Sequence, residues 1–347
     1  MDRRPLGRTG VNVSALCLGT MMYGDQIDEA EARAQMDACL ERGVDFFDTA
    51  ELYTIPPKPE TQGESERIVG RWMADRGARG KVFLATKVTG RSPMAWIRDG
   101  EPTRLTPEQI NHAIERSLSN LQTDYIDLYQ LHWPDRNVQN FGAHLRGYEH
   151  FTDEGTSFEE TLAALDAHVK AGRIRFVGLS NETPWGTMKF LQAAEKTGAP
   201  RMASIQNAYN LVNRSFETGL AEIAIAEDIG LLAYSPMAQG VLSGKYLGGA
   251  KPEGARGTLF GRLQRYQTPG AEKAIKAYVA LAREFGLDPC AFAMQFVTTR
   301  PFVTSNIFGA TSMDQLQIAL SSANIAWTEE MEKAVGALHA ETPNPCP

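Results

Sequence analysis

The sequence predicts an α/β protein folded as a (β/α)8 TIM barrel, and three observations favour that fold class. Short apolar segments alternate eight times with longer segments of helical period along the 347 residues. The composition does not change between these units, which favours one closed barrel over two domains. The turn at 19–24 reads GTMMYG and lacks the glycine fingerprint of the main alternative, a doubly wound open sheet. We therefore expect a single domain over residues 1–347.

The predicted strands are short and apolar, as expected for parallel strands that are buried on both faces. They cover residues 16–18, 45–47, 82–86, 126–131, 174–179, 202–206, 231–234 and 305–308. The predicted helices cover residues 29–42, 65–75, 107–120, 158–170, 184–196, 216–228, 272–284 and 313–322. Helix-end signals support them, since Gly43 and Gly172 follow two helices and Thr106 precedes Pro107 at the start of a third.

Three predicted loops are long, at residues 89–105, 133–157 and 235–270. They leave the carboxyl ends of strands, which is the face where barrel enzymes build their active sites. Residues 328–340 are predicted to form an extra C-terminal helix outside the repeat, and residues 342–347 a frayed tail.

Composition and charge argue against several classes of function. The chain has 35 Lys and Arg against 42 Asp and Glu, a net charge of −7, so we expect no broad binding to nucleic acid or to anionic membranes. No apolar run approaches the ~18 residues of a membrane helix. The N-terminal MDRRPLGRTG lacks the apolar core of a secretory signal. These features predict a cytoplasmic protein whose partner is a small molecule.

The cysteine and histidine patterns favour neither a disulfide framework nor a metal site. The four cysteines are far apart and form no CxxC motif. His144 and His150 are six residues apart without a third ligand nearby in the sequence. We therefore expect no metal, and the oligomeric state is left open.

Polar side chains directly follow three of the predicted strands. Asp48 and Tyr53 follow the second strand, Lys87 the third and His132 the fourth, and in a barrel these positions share one cleft. Alone, three of them have ordinary explanations as a capping aspartate, a packing tyrosine and a core histidine. Lys87 is harder to explain, because a lysine beside a buried strand must find a partner or lose its charge.

Together, the four residues predict a proton-donating device. Tyrosine has an ordinary pKa of about 10 and is a poor acid at neutral pH. A Lys87 cation held by Asp48 is expected to stabilise the phenolate and to lower the pKa of Tyr53 toward the working range. Tyr53 would then protonate a carbonyl oxygen that His132 orients. Because these side chains supply no reductant, the device implies a redox cofactor.

Six motifs resemble signatures of the aldo-keto reductase superfamily, in the family's order and over essentially the whole chain. They are GVDFFDTAELY at 43–53, LATK at 84–87, DLYQLHWP at 127–134, VGLSN at 177–181, QNAYN at 206–210 and YSP at 234–236. PETQGE at 59–64, NRSFE at 213–217 and GATSMDQ at 309–315 most resemble the bacterial Tas-type NADP(H)-dependent subgroup. One such motif is a weak signal, whereas six in register are a strong one.

The resemblance implies an NADPH-dependent oxidoreductase that reduces aldehydes or ketones. It implies a catalytic tetrad of Asp48, Tyr53, Lys87 and His132, with Tyr53 as the general acid in reduction. Within the implied cofactor site, Ser180, Asn181 and Gln206 match positions that bind the nicotinamide carboxamide, and Tyr234 matches the ring that stacks on the nicotinamide. The implied cofactor contacts are Thr20, Ser180, Asn181, Gln206, Tyr234, Ser235, Pro236, Met237, Gln239, Gly240, Lys245, Arg256, Gly309, Thr311 and Gln315.

Two departures from the family's pattern concern the adenosine end of the cofactor. Ala319 stands where many members carry an asparagine that holds the adenine, and residues 309–315 contain no Lys or Arg. A 2′-phosphate needs cationic or multiple hydrogen-bond partners, and Lys245 and Arg256 are the candidates.

The resemblance leaves two points open. A substrate pocket over the tetrad is predicted from Tyr23, Trp96 and Trp133, but the substrate itself is not determined, because specificity lies in the long loops. Potassium-channel β subunits resemble this family too, so the alternative function is a cofactor-binding regulatory subunit with little turnover. Those subunits depart from the histidine position, and the presence of His132 favours the enzyme.

Overall fold

Eight parallel strands form a closed barrel in the computed structural model, which describes residues 1–142, 147–152, 155–261 and 263–347. The described residues contain ten strands, of which two lie outside the barrel: β1 Arg3–Pro5, β2 Asn12–Ser14, β3 Leu16–Gly19, β4 Phe46–Asp48, β5 Phe83–Val88, β6 Ile126–Leu131, β7 Ile174–Ser180, β8 Met202–Ala208, β9 Leu231–Tyr234 and β10 Val303–Phe308. Strands β3 to β10 follow one another around the barrel in chain order, and β10 closes it against β3. The predicted (β/α)8 fold is confirmed.

Helices connect successive barrel strands and pack around the outside of the barrel. They are α1 Glu29–Glu41, α2 Glu64–Arg76, α3 Pro107–Leu121, α4 Phe158–Lys170, α5 Pro184–Thr197, α6 Leu220–Ala226, α7 Arg256–Phe260, α8 Ala271–Glu284, α9 Pro289–Thr298, α10 Met313–Ser321 and α11 Glu329–Glu341. Their predicted ends are confirmed in three cases. Gly43 and Gly172 follow α1 and α4 with φ of 76° and 72°, and the Thr106 hydroxyl accepts from the Gln109 N–H at the start of α3.

One barrel helix was not predicted. The segment predicted at 272–284 forms α8, but α9 lies between it and β10. Eight of the ten residues of α9 are buried. A helix buried all round has no polar face, so it lacks the amphipathic period that marks the other helices. Its start was still visible in the sequence, because Asp288 caps it and Pro289 is its first residue.

The predicted helix at 216–228 is shorter in the structure. A 3₁₀ turn at Ser215–Glu217 comes first, and α6 begins only at Leu220. Gly219 separates the two with a φ of 91°, a conformation that cannot continue a right-handed helix.

A hairpin of β1 and β2 seals the amino end of the barrel. Leu6 is fully buried and packs with the apolar residues of the barrel interior. Gly7 has a φ of 52°, and a Cβ there would lie 2.5 Å from the Ala203 carbonyl oxygen. The hairpin can therefore approach the start of β8 only with glycine at this position.

Side chains alternate between the barrel interior and the layer under the helices. In β6, Leu128 belongs to the interior cluster, whereas Tyr129 and Leu131 belong to the outer one. The same alternation turns Gln130 inward, where it bonds with Asp48. Polar side chains therefore occupy the interior toward the carboxyl ends of the strands.

The predicted frayed tail is wrong. Cys346 is fully buried, and its N–H donates to the Val212 carbonyl at 3.0 Å. The Asn344 side chain accepts from the Arg214 N–H at 2.6 Å, and Thr268 donates to the Pro345 carbonyl. These contacts fix residues 342–347 against the loops after β8 and β9.

No helix of the described residues is long and apolar enough to cross a membrane. Within the same residues, no group of three or more His, Cys, Asp and Glu could hold a metal ion. His144 lies outside the described residues, and the expectation of no metal stays a prediction.

Candidate active site

The four polar residues predicted after the strands meet at the carboxyl ends of β4, β5 and β6. Asp48 is the last residue of β4, and Tyr53 lies five positions later in the following turn. Lys87 lies within β5 opposite Gln130 of β6, and His132 directly follows β6. All four side chains are less than 10% exposed.

Lys87 is fully buried and surrounded by oxygen atoms. Its Nζ lies 2.5 Å from Asp48 Oδ1, 2.8 Å from the Thr49 carbonyl oxygen and 3.2 Å from Tyr53 Oη. Burial alone would lower the pKa of Lys87, but the charges and hydrogen bonds of Asp48 and Tyr53 outweigh burial and raise it. The lysine is therefore an ammonium ion at neutral pH.

The pKa of Tyr53 shifts in the direction opposite to the predicted one. Burial raises the pKa of Tyr53, and this effect exceeds the lowering by Lys87, so the net pKa lies above 10.0 rather than nearer neutrality. The phenol therefore keeps its proton over the ordinary pH range. Because Tyr53 Oη accepts a hydrogen bond from Lys87, its own proton can be directed to a ligand.

His132 is a neutral imidazole beside the phenol. Its ring centre lies 5.5 Å from that of Tyr53, in an edge-to-face arrangement. Burial and then the nearby Lys87 cation lower the pKa of His132 well below 6.5. A neutral imidazole has one N–H to donate, so His132 can bond to a substrate oxygen without carrying charge.

Asp48 is held by two glutamines that face the barrel interior. The Nε2 atoms of Gln130 and Gln206 each lie 2.9 Å from Asp48 Oδ2, and Gln206 Nε2 also lies 3.0 Å from Gln130 Oε1. Gln130 was missed by the sequence analysis. The signal available was a glutamine inside an apolar strand, at a position of the same parity as Leu128.

A second buried ion pair, also missed, supports the turn that carries Tyr53. Glu51 is fully buried, and the Arg98 guanidinium donates to both of its carboxylate oxygens at 2.7 and 2.8 Å. The Thr89 N–H donates to Glu51 as well, at 2.6 Å. This pair ties the loop after β5 to the loop after β4.

The residues matched to carboxamide binding lie at the ends of β7 and β8. The Ser180 hydroxyl donates to the Gln206 carbonyl at 2.9 Å. Asn181 has a φ of 52°, and its Nδ2 donates to the His132 carbonyl at 2.9 Å and to Ser180 Oγ at 3.1 Å. The Tyr234 hydroxyl donates to Asn181 Oδ1 at 2.7 Å. These residues therefore lie within hydrogen-bonding reach of the tetrad.

The loop after β9 contains a tight turn with a lysine beside it. Ser235, Gln239 and Gly240 all have positive φ, at 56°, 58° and 90°. A Cβ on Gly240 would lie 3.3 Å from Lys245 Nζ, so the ammonium group stands over this turn. Consecutive left-handed residues form concave backbone turns of the kind that bind anions.

Other residues implied for the cofactor site are more scattered. Pro236 is buried, Met237 packs against the core, and Arg256 is the first residue of α7. At the start of α10, the backbone N–H and the hydroxyl of Thr311 donate to Gln315 Oε1 at 3.0 and 3.1 Å. Gly309 is exposed, whereas Ala319 is 7% exposed.

Two of the residues predicted for the site are buried. Thr20 is fully buried, and its hydroxyl bonds with the Asp48 carbonyl and with Ser65. Tyr23, predicted for the substrate pocket, is 1% exposed, and its hydroxyl donates to Gln35 in the outer core. The prediction for Tyr23 is therefore corrected, because the side chain turns into the layer under the helices.

The two predicted tryptophans have different positions. The Trp133 ring lies 4.9 Å from that of His132, and its Nε1–H donates to the Arg91 carbonyl at 2.8 Å. Trp96 is 39% exposed on a short 3₁₀ helix in the loop after β5. Trp133 therefore contacts the tetrad directly. Trp96 lies on a loop that is held in place by the ion pair of the neighbouring Arg98 with Glu51.

Two clefts lie near this end of the barrel. The smaller, of about 170 Å³, is lined by Asn181, Tyr234 and Arg265 among others, and adjoins the residues matched to nicotinamide binding. The larger, of about 400 Å³, reaches Leu131 and Leu179, which belong to the outer layer. Trp133 and Ser180 also line the larger cleft, so both clefts adjoin the candidate site.

Chemically, the arrangement is suited to proton transfer at an oxygen atom. It places a protonated phenol beside a buried cation and a neutral imidazole. Such a set can donate a proton to an oxygen that gains negative charge, and can stabilise that charge.

Comparisons with known proteins agree with the geometry. A model named Aldo/keto reductase family matches residues 15–339. Protein tas of Escherichia coli strain K12 is 45% identical over 351 residues, covering 100% of both chains. A Babesia bovis protein named "Aldo-keto reductase" is 39% identical over 75% of this chain and 96% of its own. An Oryza sativa protein named "Probable voltage-gated potassium channel subunit beta" is 29% identical over 91% of this chain and 89% of its own.

Proposed function

The chain belongs to the aldo/keto reductase family of oxidoreductases, and from this premise we propose that it reduces aldehydes or ketones to alcohols with NADPH. The observation that carries the proposal is the buried contact of Lys87 with both Asp48 and Tyr53, which holds a neutral phenol beside a fixed cation. That arrangement suits an acid that protonates a carbonyl oxygen as it becomes an alkoxide.

The described residues fit a nicotinamide dinucleotide at two places. Gly240 and Lys245 offer a positive turn suited to the pyrophosphate or the 2′-phosphate. Gln206 and Tyr234 lie on the neighbouring strands β8 and β9, and Tyr234 lines the small cleft where the nicotinamide would lie. When bound, this cofactor supplies a hydride for the carbonyl carbon.

The proposed roles of the side chains follow from their contacts. His132 donates its N–H to the substrate oxygen and orients the carbonyl. Tyr53 gives its proton to that oxygen, and Lys87 stabilises the phenolate that remains, at a contact of 3.2 Å. Asp48 keeps Lys87 charged and in place. Trp133 packs beside His132 and forms one wall of the substrate site.

The pH dependence of reduction is a testable consequence. The pKa of His132 lies well below 6.5 and that of Tyr53 above 10.0, so both reactive forms persist between these values. We expect kcat/KM for an aromatic aldehyde to be level between pH 6.5 and 10, with the loss at high pH caused by ionisation of Tyr53. Steady-state assays in overlapping buffers check this. A marked inflection near pH 7 that is absent in a His132→Asn variant would contradict the neutral imidazole.

Cofactor choice can be tested by titration calorimetry of NADPH and NADH. We expect NADPH to bind more tightly, and Lys245→Met to weaken NADPH binding about tenfold or more, because a charge-assisted bond to phosphate is lost. Lys251→Met is the matched control, since Lys251 is an exposed lysine of the same loop. Equal affinities for the two cofactors, with no effect of Lys245→Met, would refute the NADPH proposal.

One observation favours a second candidate, a cofactor-binding regulatory subunit with little turnover. It is the likeness, over 91% of this chain, to a relative named "Probable voltage-gated potassium channel subunit beta". NADPH binding without turnover across a panel of aldehydes and ketones would favour this candidate over the reductase. The single domain over 1–347 and the cytoplasmic location stay predictions.

A further inference from the structure

Arg265 is a half-buried cation that lines the smaller cleft of the candidate site. It lies in a 3₁₀ turn at Gln264–Tyr266, in the loop after β9. Its polar neighbours are two hydroxyl groups, that of Tyr234 at 3.5 Å and that of Tyr266. A distance of 3.5 Å is long for a hydrogen bond to a guanidinium. Among the described residues, no carboxylate pairs with Arg265.

Other arginines that are buried to a similar degree do have carboxylate partners. Arg136 donates to both carboxylate oxygens of Glu182, at 2.5 and 3.0 Å, and Arg214 to both of those of Glu217, at 2.7 and 2.9 Å. Taking a charge out of water without a partner costs free energy. A guanidinium left in this state beside a cleft therefore indicates a site for an anionic ligand.

Two aromatic rings connect Arg265 with the tetrad. The Arg265 guanidinium carbon lies 5.2 Å from the ring centre of Phe141. The Phe141 ring lies edge-to-face with that of Trp133 at 6.4 Å, and the Trp133 ring lies 4.9 Å from that of His132. An apolar wall thus runs from the guanidinium to the imidazole. A ligand that reaches both ends needs an apolar spacer between its two polar groups.

The anion that fits this place belongs to the substrate rather than to the phosphates of the cofactor. The turn at Gly240, with Lys245 over it, already offers a positive site for phosphate. Arg265 instead contacts Phe141, in the loop after β6 that also carries Trp133. Trp133 is the residue that the proposed function assigns to one wall of the substrate site.

We propose that Arg265 is a specificity-determining residue that binds a carboxylate of the substrate, so that the preferred substrates are carbonyl compounds with a carboxylate beyond a flat apolar spacer. This inference rests on the proposed function, because it names the substrate class of the same site. The planar fork of a guanidinium matches a carboxylate with two parallel hydrogen bonds. The carbonyl group would lie at Tyr53 and His132, and the spacer against Trp133 and Phe141.

The test compares 2-, 3- and 4-carboxybenzaldehyde with the methyl ester of each, in NADPH-dependent reduction. Each ester keeps the aldehyde and the ring but carries no charge. We expect the wild type to prefer at least one acid over its ester about tenfold or more in kcat/KM, which is the size of a hydrogen bond between charged groups. The preference should lie mainly in KM, because the carboxylate is bound alike before and during the reaction.

Three variants test whether Arg265 causes this preference. Arg265→Met should reduce the favoured acid only as well as its ester and leave the ester unchanged. Arg265→Lys should keep part of the preference, since it keeps the charge but loses the fork. The matched control is Arg8→Met, which removes one positive charge from the loop between β1 and β2 at the amino end of the barrel. It should keep the wild-type preference.

Binding of NADPH separates the substrate from the cofactor as the source of the anion. We expect Arg265→Met to bind NADPH as the wild type does, measured by titration calorimetry. Weaker NADPH binding with an unchanged acid-to-ester ratio would assign Arg265 to a cofactor phosphate and overturn this inference. Reduction of the esters without preference for any of the acids would overturn it as well and leave the proposed reductase standing. Failure to reduce any of these aldehydes would refute the proposed function, and the inference with it.

Discussion

A Tyr53→Phe variant is expected to reduce carbonyl compounds about 10²- to 10⁴-fold more slowly than the wild type while binding NADPH normally. The magnitude is that of a general acid removed from its transition state. Phenylalanine keeps the ring that packs edge-to-face against His132 and loses only the hydroxyl that Lys87 contacts at 3.2 Å. The loss should appear in kcat, measured by NADPH oxidation with an aromatic aldehyde at saturating cofactor.

Tyr129→Phe is a matched control for this substitution. Tyr129 is also fully buried, but it faces the outer layer, and its hydroxyl has no hydrogen-bond partner among the described residues. Its removal should leave kcat unchanged. If a folded Tyr53→Phe protein turned over as fast as Tyr129→Phe, Tyr53 would not be the acid.

A Lys87→Met variant is expected to lose both activity and stability. The substitution leaves the buried Asp48 carboxylate without its cation, and removing one partner of such a pair costs about 3–5 kcal/mol. We expect a fall of this size in the free energy of unfolding at pH 7, measured by urea denaturation. Turnover should fall as well, because the phenolate of Tyr53 loses the charge that stabilises it.

The double variant Asp48→Asn/Lys87→Met separates the two effects. It removes both charges, so it should regain most of the lost stability, since a neutral asparagine needs no counter-ion. It should regain no turnover. A Lys87→Met protein as stable as the wild type would show that Lys87 does not balance the charge of Asp48.

The alternation of strands and helices could be predicted because each element carries its own local signal. The apolar runs that became β6 and β9 were predicted to the residue. Helix α9 was missed because it has no solvent-facing side. Sequence periodicity reveals a helix only where a polar face alternates with an apolar one. The tail was missed for a similar reason. Its contacts to Val212 and Arg214 join residues more than a hundred positions apart.

The sequence predicted which residues form the catalytic tetrad, but it did not predict the pKa of Tyr53. The positions of Asp48, Tyr53, Lys87 and His132 followed from the strand ends and from the family's motifs. The pKa of Tyr53 is set by two opposing effects, since burial raises it and the nearby Lys87 cation lowers it. No sequence pattern shows which effect is larger. Gln130 and Arg98 were missed because their partners, Asp48 and Glu51, lie on other strands or loops.

The pairing of β10 with β3 joins residues 306–308 to residues 16–18, almost the whole length of the chain apart. During synthesis, the edge of β3 therefore stays uncovered until residues 306–308 have left the ribosome. Until then, β3 and β9 both present unpaired backbone groups, which are the positions most open to pairing with another nascent chain. Such a topology makes folding depend on contacts of very high sequence separation, so expression at low temperature or with chaperones should raise the soluble yield.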